Sequence, residues 1–373
     1  MKMLNRVLIA VALLTFTALS PVFAEGDFSF ENEISTDTYI LGDRVNDNRR
    51  FGGIKERIQG VYTSKKVDLN ANISLDVRGE TGDVGEGKKS RAQFDWLSVN
   101  DSYFKFRPME KIQIAVATEK ATEKASGSFF PVLNDYVVGL GNYTGNVGVL
   151  FKPIEGLSVG AGINFGYLFD GLSDSNDIIH LNFGGEYELK DIGLISVTFN
   201  NVINNFGIGA FAKFTAVKNM DIYAGLSFQL HKMNMVYAML FTNCYNEYSD
   251  YINGKLLLNA GLEYKGVEKL TLAADIATNC FIEADWTHDL YAGVKAGYDI
   301  NKSFSVDGKI YMFLDLVDSS TNGNYDDRYK PSIFLYPEVA YKTGSHTFTA
   351  GIKMEFYDGV MGMAFPLSWK YSF

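Results

Sequence analysis

Hydrophobic and polar residues alternate one by one along much of this chain. In residues 67–77 the odd positions are apolar, and the even positions hold Asp68, Asn70, Asn72, Ser74 and Asp76. The same alternation recurs in residues 157–169, 179–189, 256–264, 270–282, 290–298, 304–314 and 348–356. Because successive side chains of a β-strand point to opposite faces, this pattern predicts strands with one apolar and one polar face.

The predicted strands are long, and their connections differ at the two ends. Runs of about 10 to 13 residues exceed the usual strand of a globular protein and match the length that crosses a bilayer at a tilt. Short polar turns, each after an aromatic residue, occur at residues 106–112, 151–157, 214–220, 264–270 and 298–304. The other connections are longer and polar, at residues 79–91, 170–177, 243–253 and 315–330. This asymmetry is typical of an outer-membrane barrel.

The aromatic residues at the short-turn end are predicted to form one girdle: Phe106, Phe151, Tyr187, Phe214, Tyr264, Tyr298 and Tyr341. Since every backbone polar group must be paired in hydrocarbon, a sheet that spans a membrane has to close on itself. We therefore predict an all-β fold, a transmembrane antiparallel up-and-down β-barrel. The number of alternating segments indicates about 18 strands, with 16 the nearest rival count and 14 a third. The last strand should close against residues 28–39, and residues 231–242 fit either a strand or a loop.

The N-terminus has the pattern of a secretory signal peptide. Lys2 and Arg6 precede an apolar run over residues 7–19, and small residues follow at the end of Val22-Phe23-Ala24. The run is too short for a spanning helix. We predict that residues 1–24 are a signal peptide and that residues 25–373, 373 − 24 = 349 residues, form the barrel.

Composition and charge limit the classes of molecule that the protein can bind. The chain holds 36 Gly, 28 Phe and 22 Tyr against 7 Pro, which suits many strands and turns. Its net charge of −10 becomes −10 − 2 = −12 without Lys2 and Arg6. An acidic protein is a poor partner for nucleic acid, whose phosphates require a basic surface.

The last ten residues carry a resemblance to a known class. Phe365, Leu367, Trp369, Tyr371 and Phe373 alternate up to the final residue. This strand resembles the C-terminal signature of bacterial outer-membrane β-barrel proteins, in particular porin-like ones. The resemblance implies that these five residues are an assembly signal for the barrel-assembly machinery. It also implies that the mature chain lies in the cell outer membrane, in contact with its lipid.

Charged residues on the polar faces are the candidates for lining the pore. A barrel of 16 to 18 strands is wide enough for an aqueous channel, and selective pores use charged side chains. The candidates are Glu186, Lys213, Lys255, Glu263, Asp275, Lys295, Asp307, Lys309, Glu338, Lys353 and Glu355. Aromatic candidates on the same faces include Tyr291, Tyr311, Phe334 and Tyr336. A solvated wall without selectivity is the plainer alternative for all of them.

Other functions are less well supported by the sequence. The four His, His180, His231, His288 and His346, show no catalytic or metal-binding spacing, so we predict no enzyme, no cofactor and no metal site. A strand pattern that begins soon after Glu25 leaves no room for an N-terminal plug domain. A surface adhesin or structural barrel, acting through its extracellular loops, stays open as the alternative.

Two cysteines offer a smaller hypothesis. Cys244 begins a predicted surface loop, and Cys280 lies near the outer end of a strand one hairpin away. We expect either a disulfide between them or two unpaired thiols. The sequence as a whole predicts a porin-like channel for passive diffusion of small hydrophilic solutes or ions. Whether the barrel forms a homo-oligomer stays open.

Overall fold

The structure is a computed structural model built almost wholly of β-strands. It describes residues 26–41, 51–82, 89–99, 102–117, 132, 147–164, 180–200, 206–232, 235–238, 245–248, 253–281, 287–315, 331–357 and 360–373. The strands are β1 (Asp27–Leu41), β2 (Phe51–Thr63), β3 (Val67–Gly82), β4 (Lys89–Val99), β5 (Tyr103–Met109), β6 (Ile112–Ala117), β7 (Val147–Phe151), β8 (Leu157–Asn164), β9 (His180–Leu189), β10 (Gly193–Asn200), β11 (Gly207–Phe214), β12 (Met220–Lys232), β13 (Met235–Ala238), β14 (Tyr245–Tyr248), β15 (Asn253–Val267), β16 (Leu270–Phe281), β17 (Thr287–Asp299), β18 (Phe304–Asp315), β19 (Pro331–Thr343), β20 (His346–Gly351), β21 (Lys353–Tyr357) and β22 (Val360–Ser372).

The described strands close into one antiparallel barrel of 18 strands. Twenty strands share a single sheet, and β13 pairs only with β14 in a separate hairpin. Within the sheet, β4 and β5 both pair with β3, and β20 and β21 both pair with β22, so each couple forms one barrel strand and 20 − 2 = 18. The predicted fold class and strand count are confirmed.

The barrel closes where the sequence places the closure. Strand β1 pairs with β22 from Glu31 opposite Ser372 to Leu41 opposite Met363. The final residue extends this seam, because Phe30 N donates to Phe373 O at 2.9 Å and Phe373 N donates to Phe30 O at 3.1 Å. The first predicted strand, residues 28–39, lies inside β1.

Alternation along each strand separates an apolar outer face from a polar inner face. In β3, Leu75 is 38% exposed on the outside, whereas Asn72 and Ser74 are 6% and 3% exposed on the inside. The girdle aromatics lie on the outer face near the short turns, and Phe106, Phe151, Phe214 and Tyr298 are all at least 40% exposed. The outer face is therefore suited to hydrocarbon and the inner face to water.

Three of the short turns contain one residue with a left-handed backbone. Gly156, Asn219 and Lys269 have φ of 78°, 59° and 63°, and each stands directly before the first residue of the next strand. In two of these turns that first residue then donates across the turn, from Leu157 N to Ile154 O at 3.2 Å and from Met220 N to Val217 O at 3.1 Å. Three of the five repeated turn sequences thus share a left-handed residue at the same place.

Two barrel strands are interrupted without opening the barrel. Between β4 and β5, the Ser102 hydroxyl accepts from Asn72 N at 2.8 Å and lies 3.3 Å from Asn72 O. Between β20 and β21, Ile352 N donates to Pro337 O at 3.0 Å. These hydrogen bonds pair backbone groups that the interruptions would otherwise leave without a partner.

Some connections differ from the sequence prediction. Residues 79–91 were expected to form a loop, but β3 continues to Gly82 and β4 begins at Lys89. Residues 231–242, which fitted either a strand or a loop, contain the end of β12 at Lys232 and the whole of β13. Strand β13 pairs with β14, which follows it in the chain. The predicted loop 170–177 and the predicted signal peptide, residues 1–24, lie outside the described residues. No helix in the described ranges is long and apolar enough to cross a membrane.

Candidate functional site

The predicted pore residues lie on the inner face of the barrel. Their strands alternate between inner positions and outer positions such as Ile276, Val294 and Val306, which are 50%, 52% and 41% exposed. On this inner face are Glu186, Lys213, Glu263, Asp275, Lys295, Asp307, Lys309, Glu338, Lys353 and Glu355. Lys255 is placed in β15 opposite Phe281, and its side chain lies outside the described part of the structure.

Several of these charges are joined to an opposite charge on a nearby strand. Lys213 Nζ lies 3.1 Å from Asp221 Oδ2, and Lys295 Nζ lies 3.9 Å from Asp307 Oδ1. Lys353 on β21 lies 3.2 Å from Asp37 on β1, so this ion pair passes over β22 next to the barrel seam. Glu263 pairs with Lys265 on its own strand at 2.6 Å.

Further ion pairs that the sequence prediction did not name lie on β1, β2, β3, β5 and β22. Arg57 contacts Glu31 at 2.5 Å and Glu33 at 2.9 Å, and Lys370 contacts Glu31 at 2.5 Å. Arg107 and Asp68 form a bidentate pair, with one hydrogen bond of 3.0 Å from Nη1 to Oδ1. The wall therefore carries many charges, and these ion pairs compensate part of them locally.

Aromatic rings cover one arc of the inner wall, on β17, β18 and β19. Tyr311 stacks on Phe334 with ring centroids 4.5 Å apart, and its hydroxyl lies 3.2 Å from that of Tyr336. Tyr291 and Phe313 are 4.8 Å apart. Lys309 Nζ lies 5.3 Å from the centroid of the Tyr336 ring, within reach of a cation–π contact.

This arc is covered from inside the barrel. Tyr311 is only 2% exposed although it points away from the outer face. Val132, from the connection between β6 and β7, is also 2% exposed, and its backbone N–H donates to Asp275 Oδ2 at 2.6 Å. Asp275 lies on the inner face of β16 and is 5% exposed. The chain therefore enters the lumen at Val132 and narrows it.

The contact between Val132 and Asp275 is not among the contacts that the sequence predicts. A signal was present, since residues 129–133 read Phe-Phe-Pro-Val-Leu, an apolar run inside a long connection. Such a run is unsuited to a solvated loop and points to a buried position. Asp275 itself was named as a lumen residue, but as a pore lining rather than as an anchor.

The cysteine and histidine residues add no catalytic arrangement in the described part. Cys280 is a half-buried free thiol there, and Cys244 lies outside the described residues, so their pairing stays a prediction. His346 accepts a hydrogen bond from Trp369 Nε1 at 3.2 Å in the aromatic cluster of the outer face. Within the described ranges no three His, Cys, Asp or Glu side chains are arranged to hold a metal ion.

The chain resembles known proteins in its structure but not in its sequence. No protein-family model and no curated protein matches the chain. The structure resembles OccAB3 of Acinetobacter baumannii, with a TM-score of 0.55 at 11% identity, over 94% of this chain and 99% of that one. It resembles OccK1 (OpdK) of Pseudomonas aeruginosa, with a TM-score of 0.57 at 10% identity, over 93% and 98%.

A third neighbour is OprD of Pseudomonas aeruginosa, with a TM-score of 0.53 at 9% identity, over 93% of this chain and 95% of that one. All three are outer-membrane porins. The chain has a porin fold. At such low identity the likeness establishes the porin architecture over nearly the whole of both chains, and it leaves the wall residues to be interpreted from their own chemistry.

Proposed function

We propose that this chain is an outer-membrane channel through which small hydrophilic solutes or ions diffuse passively. The observation that carries the proposal is the pairing of an apolar outer face with a charged inner face around a closed 18-strand barrel. Barrels of this strand number enclose an aqueous space. The neighbouring structures are porin channels, which supports the same role.

The inner wall favours hydrated solutes without a strong preference for charge. The ion pairs described above join seven cationic side chains, Arg57, Arg107, Lys213, Lys265, Lys295, Lys353 and Lys370, to seven anionic ones, Glu31, Glu33, Asp37, Asp68, Asp221, Glu263 and Asp307. Charged rings of one sign select ions, whereas a balanced wall does not. The acidic balance of the whole chain then adds at most a weak preference for cations.

Targeting and assembly follow from the two ends of the chain. In this proposal residues 1–24 direct export and are removed, and the β22 side chains Phe365, Leu367, Trp369, Tyr371 and Phe373 are read by the barrel-assembly machinery. All five lie on the outer face, where a partner could reach them before the barrel closes. Outer-membrane lipid then covers that face.

Swelling of proteoliposomes tests the diffusion function. Liposomes that contain the refolded mature chain should swell in isotonic solutions of small neutral sugars, and the rate should fall steeply as the sugar grows, because the lumen is narrowed at Val132. Liposomes with heat-denatured protein are the control. Failure of every sugar to enter through a folded barrel would contradict the channel and favour an adhesin or structural barrel.

A further inference from the structure

The outer face of the barrel carries one charge among the strand side chains that the structure describes. In β2 the outward positions include Ile54 and Ile58, 44% and 39% exposed, and Glu56 stands between them on the same face. Arg57, next to it, points inward to Glu31 and Glu33. Glu56 is the sixth residue of a 13-residue strand, so it stands far from both rims.

Glu56 has one hydrogen-bond partner in the described structure. Asn32 Nδ2, on the outer face of β1, donates to Glu56 Oε1 at 3.2 Å. Asn32 is opposite Ile58 in the register, and Glu56 is opposite Ile34, so the two polar side chains meet diagonally in an apolar surrounding. A carboxylate held in this position against lipid alone is unfavourable, and polar groups at membrane depth normally face protein or water.

The Asn32–Glu56 pair still has a hydrogen-bond donor and a hydrogen-bond acceptor available. An Asn amide has two N–H donors, of which one is used, and a carboxylate has two oxygens, of which one is used. The pair therefore presents a spare donor beside a spare acceptor. A surface of this kind is complementary to a copy of itself turned about a two-fold axis, because the donor of each copy then faces the acceptor of the other.

The surface beside the pair has an apolar depression. A groove of about 510 Å³ runs along the outer face of β18, β19, β20, β22, β1 and β2. Ile34 and Ile54, the neighbours of Glu56, form one of its walls, and Phe348, Leu367 and Trp369 are among its other apolar lining residues. The groove and the polar pair are thus one continuous patch around the barrel seam.

We infer that this patch, centred on Asn32 and Glu56, is the contact surface of a two-fold homodimer within the membrane. Asn32 of each copy donates its free N–H to Glu56 of the other, and the apolar side chains beside them exclude lipid. The inference requires that the barrel spans a membrane but does not depend on conduction through its lumen.

Cross-linking tests the geometry. Ile58→Cys, next to the pair, and Leu226→Cys, on the opposite side of the barrel, would each be made in a Cys244→Ser/Cys280→Ser background. After mild oxidation in native membranes, Ile58→Cys should give a disulfide-linked dimer and Leu226→Cys should stay monomeric. Equal yields at the two positions, or no dimer from Ile58→Cys, would overturn the inference.

Substitution of Glu56 tests the chemistry. Glu56→Leu in the Ile58→Cys background should lower the yield of dimer about tenfold, the effect of losing one to two hydrogen bonds, while Glu56→Gln should retain it. Heat-modifiable migration on gels shows that each variant is a folded barrel. A Glu56→Leu chain that folds and cross-links like the parent would show that lipid alone covers Glu56, and a native mass of three chains would exclude the two-fold arrangement.

Discussion

A left-handed residue ends three of the short turns, at Gly156, Asn219 and Lys269. Gly156 has a φ of 78°, and a Cβ there would lie 2.7 Å from Glu188 O on the neighbouring strand β9. Lys269 and Asn219 have similar backbone angles without Gly. Position 156 therefore requires Gly because of the steric clash as well as the left-handed angle.

Gly156→Ala should destabilise the barrel by about 1–3 kcal/mol, since it adds left-handed strain and a steric clash. Gly308→Ala is the matched control, because a Cβ there meets no atom within 4 Å, and it should change stability by less than about 0.5 kcal/mol. Urea unfolding in detergent micelles measures both. A Gly156→Ala variant as stable as Gly308→Ala would show that the turn relaxes freely.

Asp275 holds the inward chain at Val132, and its removal should loosen the narrowed part of the lumen. Asp275→Ala loses a charged hydrogen-bond acceptor, so the population of the released state should rise about tenfold. Asp275→Asn keeps an acceptor oxygen and should behave more like the wild type. Open-channel noise in single-channel traces is the measurement, and identical traces from Ala and Asn variants would contradict an anchoring role.

At the residue scale, the sequence predicts which face of the sheet a side chain lies on, but not which other side chains it contacts. Alternation alone placed Asp275, Lys295 and Asp307 on the inner face, since a strand leaves each side chain only two directions. Which charges meet depends on the register between strands, and the Arg57 cluster with Glu31 and Glu33 was missed for that reason. The path of the chain through Val132 depends on packing inside the lumen, which has no periodicity to read.

At the element scale, the seam between β1 and β22 is the part of the barrel most dependent on the chain end. Phe373 exchanges two backbone hydrogen bonds with Phe30, and their rings lie 5.5 Å apart. The ring of Phe373 is also 6.3 Å from that of Phe28. One terminal residue thus supports closure by both its backbone and its side chain.

Deletion of Phe373 should lower the stability of the refolded barrel by about 2–4 kcal/mol, from two lost hydrogen bonds and one lost ring. Phe373→Ala keeps the backbone bonds and should cost less than half as much. Refolding without the assembly machinery separates closure from recognition. Equal losses in the two variants would show that only the ring matters.

Element boundaries were predicted well where alternation is strict and poorly where it is not. Residues 79–82 read Gly-Glu-Thr-Gly, a typical turn composition, yet they extend β3 because β4 offers a partner strand. The β13–β14 hairpin is only four residues on each side. Strands this short give too few positions for alternation to be recognised.

At the scale of the whole molecule, the strand count followed from the sequence because a barrel repeats one simple unit. Each strand shows its own apolar outer stripe, and a short turn joins the two strands of each hairpin. The strands can therefore be counted one by one without knowledge of which strands pair. Closure of β1 on β22 then follows from the requirement that no edge remains in hydrocarbon. The shape of the lumen does not follow, since it depends on Val132 and on side chains that meet across the space.

The balance of charge on the wall predicts weak ion selectivity. In a tenfold gradient of KCl the reversal potential should lie close to zero, with a slight preference for potassium ions. Lys295→Ala removes the partner that lies 3.9 Å from Asp307 and should shift the potential further toward cations. Lys302→Ala, at an exposed residue in the short turn between β17 and β18, is the control and should shift it less. A strongly anion-selective wild type would contradict the balanced wall.

Single-channel conductance of the refolded mature chain in a planar bilayer tests the central claim most directly. A closed barrel with a charged, water-compatible inner face predicts stable, stepwise openings from protein that migrates as a folded, heat-modifiable barrel. Those steps should disappear when the same sample is unfolded by heat before reconstitution. A folded barrel that inserts into the bilayer and carries no current would contradict the channel.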